Sequence, residues 1–157
     1  MDAIELDFPA GSFDVAFSSQ LIEHLHPDDV ELHFASIYRV LKENGVYAFD
    51  TPNRLSGPHD VSKYFDDVAT GFHLKEWTYR ELANGLKKAG FRKLRTMILP
   101  WSAVRRFPSL RSLGTVPVSL LIPGELLAEK IKRKRWRITF CKLFRIACIY
   151  IVAQKCE

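Results

Sequence analysis

The chemistry-bearing residues of this sequence fall into two groups. Glu23 and His24 stand side by side, and His73 lies in a later polar loop. An imidazole with its ordinary pKa of about 6.5 can take a proton from a hydroxyl at neutral pH. Glu23-His24 therefore suits a hydrogen-bonding role, general-base work on an acceptor, or a share in a metal site. His73 is placed to join either of the last two. The second group, Ser18, Ser19 and Gln20, closes the apolar run Phe13 to Ser18. Such a run reads as a strand buried on both faces, and open α/β sheets place ligand contacts at strand ends of this kind. A serine there serves equally well to cap the next helix.

The elements that must carry these residues alternate. Gln20 to Leu25 starts a helical pattern that Pro27 interrupts. Asp28 and Asp29 then supply an N-cap and an acidic first turn for a helix with Val30, Phe34, Ile37, Tyr38 and Leu41 on one face. Asn44-Gly45 is expected to end it in a left-handed cap. Val46 to Phe49 reads as a second buried strand, stopped by Pro52. Residues 53–75 form a loop rich in Gly, Pro, Asp and His. Thr78 with Glu81 three residues on predicts a capping box, and Gly90 ends that helix. Phe91 to Leu99 and Ile146 to Ala153 read as two more strands, separated by a long insertion over about 100–145. Strand, helix, strand, helix, strand predicts an α/β sheet with crossover connections and helices on both faces. All 157 residues are read as one domain.

Composition bounds the setting. No apolar run approaches the about 18 residues needed to span a bilayer, and the start of the chain is acidic, unlike a secretion signal. Three cysteines, Cys141, Cys148 and Cys156, show no metal-binding spacing and read as core thiols. A reducing, cytoplasmic compartment fits. The net charge of +5 conceals a polarity. Residues 1–78 hold 5 Lys/Arg against 14 Asp/Glu, and residues 79–157 hold 18 against 4. The run Lys130 to Arg137, with apolar stretches Val118 to Ile122 and Phe140 to Phe144 beside it, suits a solvated helix face or peripheral contact of 116–145 with an anionic membrane. Nucleic acid is disfavoured, because the run lacks interleaved aromatics.

One ordered string of signals is more specific than any of its parts. It runs Asp2-Ala3, then Leu6-x-Phe8-Pro9-x-Gly11-Ser12-Phe13-Asp14, an apolar strand, Glu23-His24-Leu25, Arg39-Val40-Leu41-Lys42-x-x-Gly45 and Pro52-Asn53. It continues through Phe72-His73-Leu74-Lys75-Glu76-Trp77-Thr78 and Ala89-Gly90-Phe91. Over about residues 2–98, with Ile149 to Lys155 as a last strand, the sequence resembles the class I S-adenosylmethionine-dependent methyltransferases that act on small molecules. The resemblance implies a Rossmann-like sheet, mostly parallel with an antiparallel last strand. It implies S-adenosylmethionine as cofactor and a small or lipid-linked methyl acceptor.

By the same resemblance, Asp2 accepts from the adenine amino group, Ala3 supplies a backbone contact, and Ser18, Ser19 and Gln20 lie along the methionine portion. His24 and His73 face the acceptor as the catalytic candidates. No metal is assigned. Some relatives carry Glu-x-x-Glu-His and hold a divalent ion there, but Gln20 stands here where the first carboxylate would be, which weakens an all-oxygen site. The sequence contains no G-x-G-x-x-G loop for the methionine end. The resemblance therefore implies the C-terminal part of the domain, with Phe13 to Ser18 left as a sheet edge through which chains associate. The alternative is a non-catalytic remnant or interaction module that pairs with a partner chain.

Overall fold

A computed structural model describes residues 2–97 and 115–156. Five strands form one mixed sheet in the order β1-β2-β5-β3-β4: β1 Phe13–Ser19, β2 Leu41–Pro52, β3 Lys93–Met97, β4 Thr115–Pro117 and β5 Cys148–Gln154. Helices α1 (Val30–Val40) and α2 (Tyr79–Lys88) link the first three strands, and α3 (Ile122–Glu129) and α4 (Lys134–Leu143) precede β5. Strands β1 and β2 pair in parallel; β5 lies antiparallel between β2 and β3. β1, β2 and β3 thus share a direction, and the last strand inserts against it as the resemblance implies.

The core occupies one face of this sheet. Tyr47 and Phe49 of β2, Ile149, Ile151 and Ala153 of β5, and Leu94 of β3 are buried under Phe34 of α1 and Leu82 and Leu86 of α2. Alternation puts the other residues on the second face. Phe17, Ala48, Met97, Tyr150 and Val152, with Asp50, Lys142 and Arg145, line an open groove of about 940 Å³ there. Val15 and Phe17 are 62% and 72% exposed. The expectation of a first strand buried on both faces is therefore corrected: β1 is an edge with one open face.

Local signals succeeded where they were self-contained. Thr78 caps α2 with its hydroxyl on the Glu81 N–H, and the Glu81 carboxylate accepts from Thr78 N–H in return. Gly90 follows at φ +111, with the Tyr38 ring 2.9 Å from where a Cβ would stand. The predicted end of α1 is corrected. The helix stops at Val40, and Leu41 already pairs with Phe13, while residues 42–45 bulge before Val46 meets Val15. Asn44 does adopt φ +63, but inside that bulge. Asp29 sits at the N-cap without a side-chain cap bond, and only Ile22–His24, a 3-10 turn, forms where the sequence pattern predicts a helical start. Of the three thiols, Cys141 is buried and Cys148 is exposed, so the core reading holds for the first alone. Residues 98–114, including Leu99 and the first part of the insertion, lie outside the described residues.

Candidate functional site

Strand β1 ends beside β2, with Ser19 opposite Asp50. Gln20 then turns into the left-handed region at φ +49, an uncommon position for a residue with a side chain. Two bonds hold it there: Gln20 N–H to Asp50 O at 3.0 Å, and Gln20 Nε2 to Asp50 Oδ2 at 2.6 Å. Such local strain tends to gather at functional sites. The turn throws the chain from the sheet into Ile22–His24, burying Ile22 and Glu23 while His24 stays exposed.

The loop carrying His73 is fastened onto that turn. Leu74 N–H donates to Glu23 O at 2.8 Å, and His24 Nδ1 donates to Phe72 O at 3.0 Å. The two imidazoles meet edge to face, 5.1 Å between centroids. Asp60 shapes the loop: its carboxylate accepts from the N–H groups of Ser62, Gly71, Phe72 and His73. Burial pushes its pKa up, but these bonds from Ser62, His73 and Gly71 outweigh that and hold it at about 2. The buried Glu76 accepts from His73 Nδ1 at 2.9 Å and from His59 N–H at 2.6 Å. Its own burial raises its pKa, and the His59 and His73 bonds more than reverse the shift. A side chain at Gly57 would place its Cβ 2.1 Å from Glu76 Oε2, so only glycine leaves room for that carboxylate.

The other sequence-predicted residues are organised by a buried relay. His33 Nδ1 donates to the Ala3 carbonyl at 2.5 Å, and His33 Nε2 accepts from the Tyr47 hydroxyl at 3.0 Å. Tyr47 in turn accepts from Ser18 Oγ at 2.7 Å. Burial lowers the His33 pKa, partly offset by the Ala3 bond, so the ring is neutral and these directions follow. Ala3 and Ser18 are thereby tied together through the core. Asp2 is exposed, and its carboxylate accepts from Ile4 N–H at 3.0 Å. Ser19 is exposed at the strand end, Ser18 is turned inward, and the Gln20 amide is engaged by Asp50.

Three members of the site escaped sequence reasoning: Asp50, Glu76 and the relay through His33 and Tyr47. Asp50 ends the second strand just as Ser19 ends the first, a signal that strand pairing would have supplied. Nothing local marked His33, which lies on α1 at a position that periodicity assigns to the buried stripe.

Comparison with known proteins bears on the family and the fold. Residues 1–49 match a family described as "Methyltransferase domain". A protein of Mycolicibacterium smegmatis described as a probable S-adenosylmethionine-dependent methyltransferase is 37% identical over 87 residues, 55% of this chain and 32% of its own length. The chain thus spans about a third of the length of that curated relative. The fold superposes on an S-adenosylmethionine-dependent methyltransferase from Mesorhizobium loti with a TM-score of 0.55 at 18% identity, over 99% of this chain and 67% of that one. It also superposes on Haemonchus contortus phosphoethanolamine N-methyltransferase 2, crystallised with S-adenosyl-L-methionine, with a TM-score of 0.55 at 19% identity, over 99% of this chain and 36% of that one.

Proposed function

We propose that this chain, a relative of the class I S-adenosylmethionine-dependent methyltransferases, supplies the acceptor side and the adenine side of a methyl-transfer site. The observation that carries the reading is the meeting of His24 and His73, far apart in sequence, at the end of the strand that also carries Ser19. The cofactor supplies an electrophilic methyl group when bound. Asp2, Ala3 and Ser19 are the residues that would hold it. The donor set fits in part: an exposed carboxylate at Asp2, a backbone at Ala3 fixed by His33, and an exposed hydroxyl at Ser19. No Gly-rich loop in this sequence serves the methionine end.

His24 and His73 are the acceptor-activating groups. Each ring donates through Nδ1, to Phe72 O and to Glu76, which leaves the Nε2 lone pair for an acceptor. The work of the surrounding protein is alignment of the reacting atoms. The loop that carries His73 exposes Phe65, Val68, Phe72 and Leu74, of which Phe72 and Leu74 are bonded to the His24 turn. That apolar rim supports a small apolar or lipid-linked acceptor.

Two partner contacts accompany the reading. The open β1 edge, with Val15 and Phe17 exposed, supports association with another chain, and in the alternative reading this is the chain's whole task. Exposed Leu120, Leu127, Trp136 and Leu143 beside Lys132, Arg133 and Arg135 support peripheral contact with an anionic membrane. No helix among the described residues is long and apolar enough to cross one.

The test is ultraviolet cross-linking of methyl-labelled S-adenosylmethionine to the full chain. Saturable label within residues 2–24, competed by S-adenosylhomocysteine, is expected. Labelling that does not saturate would exclude the methyl-transfer reading and leave the interaction module.

A further inference from the structure

The groups assembled around His24 have a feature that proton transfer alone does not use. Glu23 is fully buried; its Oε2 accepts from Thr51 Oγ1 at 2.8 Å, while Oε1 has no hydrogen-bond partner among the described residues. A buried carboxylate oxygen left without a partner is costly and calls for an explanation, an ion among them. Glu23, His24 and His73 each bring one ligand-type atom within 4.8 Å of the others. From this juxtaposition we infer that Glu23, His24 and His73 bind one divalent cation of the zinc class. The cation site itself does not rest on the methyl-transfer reading; with both Nε2 lone pairs on the ion, an acceptor would be activated through the metal and not by direct proton transfer to either ring.

The rings are prepared for this role. A carbonyl oxygen only accepts, so His24 must donate through Nδ1 to Phe72 O, and its free lone pair is on Nε2. His73 donates through Nδ1 to the Glu76 carboxylate and is left with Nε2 in the same way. Metal-binding histidines are ordinarily held by such an outer carbonyl or carboxylate, which fixes the tautomer and raises ligand basicity. Glu76 is itself fixed by the His59 N–H and by the space at Gly57.

The donor set also selects the ion. Two imidazole nitrogens and one carboxylate oxygen suit zinc and its transition-metal neighbours, whereas magnesium and calcium require mainly oxygen. Gln20, whose amide weakens an all-oxygen site, is committed to Asp50 and takes no part. His73 enters from the loop instead, changing the character of the site. Three protein ligands leave open positions, and His24 is exposed, so an acceptor heteroatom can reach the ion and be polarised by it.

Cobalt(II) titration of the full chain tests the inference, because cobalt reports its ligands by visible absorption. We expect absorption that saturates at one equivalent and is displaced by zinc. His24→Ala and His73→Ala should each weaken binding by more than about 100-fold, exceeding the roughly 10–100-fold loss expected of Glu76→Gln, which removes an outer partner. His26→Ala should leave binding unchanged. His24 is exposed, so its replacement leaves the core intact and keeps the test readable even where Glu23→Gln unfolds the chain. Absence of saturable absorption, or saturation that survives His24→Ala and His73→Ala, would overturn the inference. Neither result depends on cofactor cross-linking.

Discussion

The Tyr47 hydroxyl stands 3.0 Å from His33 Nε2 and 2.7 Å from Ser18 Oγ, joining α1, β1 and β2 at one buried oxygen. Tyr47→Phe keeps the ring and deletes that oxygen, leaving a buried imidazole nitrogen without its donor. A loss of about 1–3 kcal/mol in urea unfolding is expected. Amide exchange at residues 3–6 should rise as well, because His33 holds the Ala3 carbonyl.

The same histidine sets a pH dependence. Burial lowers its folded pKa below the ordinary value of 6.5, so the folded state prefers the neutral ring. The unfolded chain binds the proton first on acidification, and stability must fall as pH drops below about 6.5. Urea melts of the native chain should weaken between pH 7 and 5. His33→Gln should flatten that slope, and an unchanged slope would reject the assignment.

Glu125 anchors α3 to the start of α2. It accepts from Tyr79 N–H at 2.7 Å, Arg80 N–H at 3.0 Å and Asn53 Nδ2 at 2.8 Å. Burial raises its pKa against these three bonds. Glu125→Ala strands several buried donors together and should cost roughly 2–4 kcal/mol in thermal or urea unfolding.

The β1 edge predicts self-association of the isolated chain. Light scattering should show species larger than a monomer, growing with concentration. Val15→Lys with Phe17→Lys places charge on the open face and should shift the population to monomer. A monomer in the unsubstituted chain at high concentration would count against an exposed pairing edge.

Acid should also release the loop over the histidines. Asp60 keeps its charge down to about 2 because four N–H groups point at it, and the unfolded carboxyl titrates near 3.8. The stability it lends is present above about 3.8 and is lost as pH falls toward 2. Asp60→Ala should raise amide exchange at residues 71–73 at neutral pH, with little change in β2 or β5.

What the sequence determined was local and ordered. The Thr78–Glu81 capping box, the turn at Gly90, the two apolar strands and the chain order of the methyltransferase signals need only neighbours a few residues apart, and side-chain chemistry at that range is fixed by spacing. The candidate residues Ser19, His24 and His73 could be named from motif order alone. Tertiary structure alone decided the rest. An apolar strand reads the same as an edge or at the sheet centre, so β1's open face depended on which strands flank it. β5's reversed entry between β2 and β3 was a matter of long-range pairing, as was the meeting of His24 with His73. Glu23 stands beside His24 in the sequence whatever the setting, but only burial beside Thr51 left one of its oxygens paired and the other without a partner among the described residues, with His24 and His73 close by. Burial, and not residue type, decides whether a carboxylate is a solvated charge or a ligand in waiting.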